Sequence, residues 1–239
     1  MRTAAAAICL GIVLQLSGGV VFAQTLKTGE DCGSLDNAFG PFDYYDSRNA
    51  DELKDVNGNH LHRVITGVQS TTNPTLAINN IDYMLRAFPN HPQVLRLMTE
   101  YFLKGGKSYE HRSPECYFDR AVRFAPNDGN VRMLLGVYLL RKGNAQDARV
   151  QLEKARELMP ESADAAYNLG ALDYREKRYQ EAKDNAVKAY SLGYPLPALR
   201  DNLRKLGYWD AAADATVAAA NAPKPAEGST PQSDSSRPN

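Results

Sequence analysis

The chain has 239 residues, 28 Lys and Arg against 28 Asp and Glu, and a formal net charge of zero. Hydrophobic residues at 43% and charged residues at 23% are globular values, with enough chain to bury one or two cores. The balance argues against a nucleic-acid binder or a polybasic membrane-surface protein, and three Cys rule out a dense disulfide scaffold or a four-Cys zinc site.

Residues 1–23 read as a secretory signal peptide. Arg2 supplies the basic start, Ala4 to Leu16 a short apolar run, and Val21-Phe22-Ala23 the small residues before a cut at Gln24. Gln15, Ser17, Gly18 and Gly19 interrupt the run, which is short for a helix that needs about 20 apolar residues to span a bilayer. Cys9 lies too far upstream to carry a lipid, and no Cys follows the cut. The expectation is a periplasmic protein, exported without a lipid anchor and without a transmembrane segment in its mature part.

Cleavage removes Cys9 and leaves Cys32 and Cys116. An even count in an oxidising compartment predicts a disulfide between them. Two Cys so far apart in sequence lack the proximity of a redox-active Cys-X-X-Cys pair, so the bridge is expected to be structural. It closes a loop of roughly 85 residues, which the chain-entropy treatment values at about 4–5 kcal/mol.

Residues 24–72 show no sustained period and are expected to be an irregular segment stapled by that disulfide. Phe39-Gly40-Pro41-Phe42-Asp43-Tyr44-Tyr45 is an aromatic extended stretch, predicted to strap across the first helices. His60 and His62 are two apart and would share a face on a strand, where they could begin a metal site, but nothing in the sequence fixes a third ligand. Asp55 to Thr66 fails as a calcium loop because His60 stands at the turn glycine and Thr66 at the closing acid.

Residues 73–128 read as degenerate helices. Asn73-Pro74 opens one that runs to Phe88, with Ala77, Ile81 and Leu85 on one face. Pro92 to Lys104 is a second, and Ser113-Pro114 begins a third with Ser113 as N-cap.

Residues 129–195 repeat themselves. A shift of 34 lays Leu135 on Leu169, Gly136 on Gly170, Ala148 on Ala182 and Ala155 on Ala189. Each unit divides into two amphipathic helices: the small residue in the first lets the second approach closely, and the Ala pair lies on one packing seam. Residues 196–209 carry Leu196, Leu199, Leu203 and Leu206 at helical spacing and are predicted to cap the open end. Residues 210–239 are Ala-rich, with Ala211 to Ala222 expected as a marginal helix, then rich in Pro, Ser and Gly, with Asn221 to Asn239 expected to be disordered.

These two units resemble the tetratricopeptide repeat (TPR). The first keeps Leu135, Gly136, Ala148, Leu152, Ala155 and Pro160, and the second keeps Leu169, Gly170, Ala182 and Ala189. The second departs at Asp173, where an aromatic is usual, at Ala186 for a bulkier residue, and at Tyr194 for the closing Pro. Three segments also resemble small exported TPR proteins of proteobacteria: Cys32-Gly33-Ser34-Leu35 with Gly40 to Tyr44, Arg86 to His91, and Glu115 to Ala121. The resemblance implies an all-α, right-handed helix-turn-helix solenoid with degenerate N-terminal repeats and a C-terminal capping helix.

The sequence has no Gly-x-Ser-x-Gly elbow, no phosphate-cradling Gly loop and no His-Glu-x-x-His, so no catalytic residue, cofactor site or metal site is assigned and the chain is not expected to be an enzyme. A metal-dependent enzyme using His60 and His62 is the alternative from another class.

By resemblance to peptide-binding TPRs, the first helix of each unit lines a groove. Its residues are Asn130, Met133, Val137, Leu140 and Arg141, then Tyr167, Asn168, Ala171, Tyr174 and Arg175. The expected function is an adaptor or assembly factor for an envelope complex, with a component of a pilus, secretion or polysaccharide-export machine as the alternative. Its partner is a protein or peptide and not nucleic acid, and the chain itself is expected to be a monomer or weak dimer.

Overall fold

A computed structural model describes residues 31–70 and 74–222. The signal-peptide reading of residues 1–23 lies outside them. All regular structure among the described residues is helical: α1 (Ala50–Val56), α2 (His62–Gln69), α3 (Pro74–Ala87), α4 (Pro92–Leu103), α5 (Pro114–Phe124), α6 (Gly129–Arg141), α7 (Ala145–Leu158), α8 (Ala163–Arg175), α9 (Tyr179–Ser191), α10 (Ala198–Lys205) and α11 (Ala211–Ala220). Consecutive helices pair as hairpins, α2 with α3, α4 with α5, α6 with α7 and α8 with α9. The first helices of the hairpins also stack in the order α2, α4, α6, α8, and α10 continues the series against α8. The expected all-α solenoid is the observed architecture.

Polar caps set the helix starts. Asp128 accepts from the Asn130 and Val131 amides at 2.8 and 3.2 Å, Asn144 from Asp147 at 3.2 Å, and Ser162 from Ala165 at 3.2 Å. Each supplies an acceptor to an amide that the first helical turn leaves unpaired.

The repeat register holds at its tightest points. A methyl added to Gly136 would stand 2.6 Å from Leu152 Cγ and 3.2 Å from the Ala148 carbonyl; one added to Gly170 would stand 3.3 Å from the Ala182 carbonyl, the same place one repeat on. The second site is roomier. Ala186 stands where Leu152 would be, and Leu199 of α10 reaches into the space, its Cδ2 lying 3.1 Å from that added methyl. A truncation in the repeat is thus met by the capping helix.

Asp173, another departure from the repeat pattern, is buried in a polar knot. It accepts from Arg149 Nη2 of α7 at 2.9 Å, from Asn185 Nδ2 of α9 at 2.7 Å, and from Arg178. Three elements meet on one carboxylate where an apolar contact would otherwise sit, and each charge there has its partner.

The region expected to be irregular is helical from Ala50 to Gln69. A π-helical turn, Asn57–Leu61, joins α1 to α2. Distant side chains stitch this turn in place: His60 Nδ1 meets Asn80 Oδ1 at 2.8 Å with its ring stacked on Tyr83, and Asn57 Oδ1 meets His91 Nε2 at 2.9 Å. Beyond the repeats, α11 packs on α9. It starts on Asp210, which accepts from the Ala213 amide at 2.9 Å.

Upstream of Ala50 the chain is a strap. Cys32 and Cys116 form a disulfide. Arg120 and Arg123 of α5 donate to the carbonyls of Ser34 and Gly33, and Arg86 Nη1 donates to Asn37 at 3.0 Å. The Phe42 amide donates to the Ala87 carbonyl at 2.8 Å, and its ring packs on Phe88. Gly40 (φ +90°) makes the close approach possible, because a Cβ there would lie 2.6 Å from the Ala87 carbonyl oxygen. The strap crosses the turns that lead into α4 and α6, and among the described residues it makes no hydrogen bond or ring contact with α8.

Candidate interaction surface

Because α6 and α8 stack side by side, residues one repeat apart become neighbours. Met133 corresponds to Tyr167, Val137 to Ala171, Leu140 to Tyr174, and Arg141 to Arg175. Arg141 and Arg175 are exposed, and the other six are partly so. The inner edges of Met133, Val137 and Leu140 rest on the small core of Leu152, Leu169 and Leu172. Tyr167 and Tyr174 rest on the C-terminal core around Leu199, Leu203 and Trp209. The surface is therefore half packing, half open: it is held rigid from below and presents apolar and aromatic edges above, the composition of partner surfaces.

Four of the residues expected in the groove have other engagements. Asn130 Nδ2 donates to the Tyr45 hydroxyl at 2.8 Å, which ties the start of α6 to the strap. Asn168 Nδ2 donates to the Asp164 carbonyl at 2.9 Å and Arg175 Nη1 to the Leu140 carbonyl at 3.3 Å. Tyr167 is stacked on Tyr194, with centroids 3.9 Å apart. Tyr194, which the repeat pattern does not place in the groove, thereby belongs to the surface. Burial first, then Tyr167 and Asp164, pushes its phenol up to about 12, so it stays a neutral hydrogen-bond donor at any physiological pH. Its only trace in the sequence is the Tyr that replaces the repeat's closing Pro.

Helical geometry bears directly on the histidine pair. Two residues apart on a helical path, the rings do not share a face. His60 is taken up by Asn80 and Tyr83, while His62 is exposed. Among the described residues no group of three or more His, Cys, Asp or Glu is placed to hold a metal ion, and no helix is long and apolar enough to cross a membrane.

No protein-family profile matches the chain. A stretch of 127 residues, 52% of the chain, is 30% identical to part of protein O-mannosyl-transferase TMTC1 of Homo sapiens. The matched stretch covers 14% of that protein, so the chain spans a small fraction of the relative's length, and the transfer activity in the name belongs to that protein. With its helical hairpins in repeat register, the chain is compatible with a tetratricopeptide protein.

Proposed function

We propose that this chain is an exported interaction module, an adaptor or assembly factor of an envelope complex, which takes a polypeptide partner across the exposed faces of α6 and α8. It acts by binding and not by catalysis. One observation carries the reading: four residue pairs, from Met133 and Tyr167 to Arg141 and Arg175, stand in register on adjacent helices, open above and packed below. The Cys32–Cys116 disulfide supports an oxidising compartment such as the periplasm. Among the described residues the strap meets this face only at Asn130 of α6 and makes no hydrogen bond or ring contact with α8.

The test is crosslinking in intact cells followed by mass spectrometry, comparing wild type with an Arg141→Glu, Arg175→Glu variant and with Val137→Glu. The expected result is at least a tenfold loss of a discrete partner set, with thermal stability unchanged in the double arginine variant and lowered in Val137→Glu, whose side chain rests partly on the core. An unchanged set in both variants would move the site off this face.

A further inference from the structure

A cavity of about 470 Å³ opens where the strap ends, between the turn into α6 and the end of α7. One wall is Tyr45, whose ring is half exposed. Pro126, Leu158 and Met159 form an apolar floor. Two carboxylates, Asp43 from the strap and Asp128 from the start of α6, complete it. A single amide holds both in place: Asn90 Nδ2 donates to Asp43 Oδ1 at 2.9 Å and to Asp128 Oδ2 at 3.2 Å.

The charge of this cavity is unbalanced. No Lys, Arg or His lines it, and neither carboxylate forms an ion pair among the described residues. Asp43 Oδ1 is occupied by Asn90 and by the Tyr45 amide at 2.9 Å, which leaves Oδ2 as an open acceptor among the described residues. Burial raises the Asp128 carboxyl above the usual carboxylate range, with Asp43 adding to the effect. The same burial, with Asp128 second, pushes the Tyr45 phenol up to about 12. Elsewhere among the described residues the buried carboxylates Asp82 and Asp173 are each met by two arginines and Asp119 by one.

We infer that this cavity receives the side chain of an arginine or lysine from a partner polypeptide. A cationic head would satisfy Asp43 and Asp128 and lie against the Tyr45 ring, while its methylene stem would cover Leu158 and Met159. The cavity is ill suited to a bare metal ion: Asp43 and Asp128 are its only acids, and among the described residues no group of three or more His, Cys, Asp or Glu is placed to hold one. Asn130 links the cavity to the α6–α8 face, so a chain lying on that face passes its mouth. This deepens the proposed binding of a polypeptide, but its test does not depend on the groove.

The experiment is a nuclear magnetic resonance titration of the disulfide-intact protein with N-acetyl-arginine methylamide, reading the Asn90 and Asn130 side-chain amides and the Met159 methyl. A saturable shift is expected, at least tenfold weaker with the neutral citrulline analogue and in an Asp43→Asn, Asp128→Asn variant. Asn at position 128 still caps α6, so the charge is removed without removing the helix start. If the double variant does not fold, Asp43→Asn alone, outside every helix, gives the same comparison. Equal responses to arginine and citrulline amides, or an unchanged affinity in the variants, overturn the proposal. Saturable binding of spermidine without the arginine amide overturns the assignment to a polypeptide. Failure of the groove variants with a positive titration would sink only the α6–α8 face, and the reverse result only this cavity.

Discussion

Arg149 donates to the buried carboxylate of Asp173 across 2.9 Å and so joins the second helix of one repeat to the first helix of the next. Asp173→Ala would leave Arg149 and Arg178 facing a void at a buried position. Losing one partner of such a pair costs about 3–5 kcal/mol, and Arg149 keeps Glu176, which places the loss near the lower end. Urea unfolding should show a drop of about 3 kcal/mol, and a double-mutant cycle with Arg149→Ala a coupling of at least about 1 kcal/mol. Independent, additive losses would show that the two side chains do not act together.

Lys177 holds a left-handed backbone conformation (φ 61°) one repeat beyond Gly143 (φ 88°). A side chain there is strained, whereas glycine accepts the geometry freely. Lys177→Gly should raise stability by about 0.5–1 kcal/mol after the larger entropy of the unfolded glycine is counted. A lowered urea midpoint would contradict this.

The disulfide spans a sequence separation of 84. A Cys32→Ser, Cys116→Ser variant should lose about 4 kcal/mol, since the open chain regains the entropy of that loop. Arg120, Arg123 and Phe42 still hold the strap, so its detachment is local: exchange of the Phe42 amide should quicken while that of α8 and α9 stays slow. Identical urea midpoints for oxidised and reduced protein would show that the bridge adds nothing.

His91 is buried, with Nε2 on Asn57 at 2.9 Å and Nδ1 capping α4, and burial lowers its pKa to about 4. The unfolded chain, with His near 6.5, binds the proton first as pH falls. Stability should therefore be flat above about pH 6.5 and decline between about 6.5 and 4, by about 3 kcal/mol in all. His91→Asn keeps a capping side chain and should flatten that slope. The raised carboxyl of Asp128 works in the opposite direction, because protonation relieves it. A slope of equal size in His91→Asn would assign the acid sensitivity to other groups.

The two repeats were legible because Leu135, Gly136, Ala148 and Ala155 recur at one interval, and packing at Gly136 and Gly170 obeys that interval. The run from Ala50 to Gln69 was not. Asn57, Gly58 and Asn59 are weak helix formers, and an inserted π turn breaks the apolar period. What keeps it helical is long-range: His60 on Asn80 and Tyr83, and Asn57 on His91. No window on the local sequence contains those partners. For α11 the Ala-rich composition marks a marginal helix, but without an apolar stripe its docking is not readable; Asp214, accepting from Trp209 Nε1 at 2.8 Å and from Arg204, fixes its position. Of the interaction surface, the apolar positions were readable from the repeat. The diversion of Asn130 and the cavity beside it were not, because both depend on where the strap ends.

Covalent closure between Cys32 and Cys116 divides the molecule mechanically. Tension applied between Cys32 and the far end cannot lengthen the stretch enclosed by the bridge, so α1 to α4 are shielded and extension is confined to the chain beyond Cys116. The proposed partner surface on α6 and α8 lies wholly in the extensible part, and a pulling force would dismantle the contact face while leaving the front of the solenoid whole.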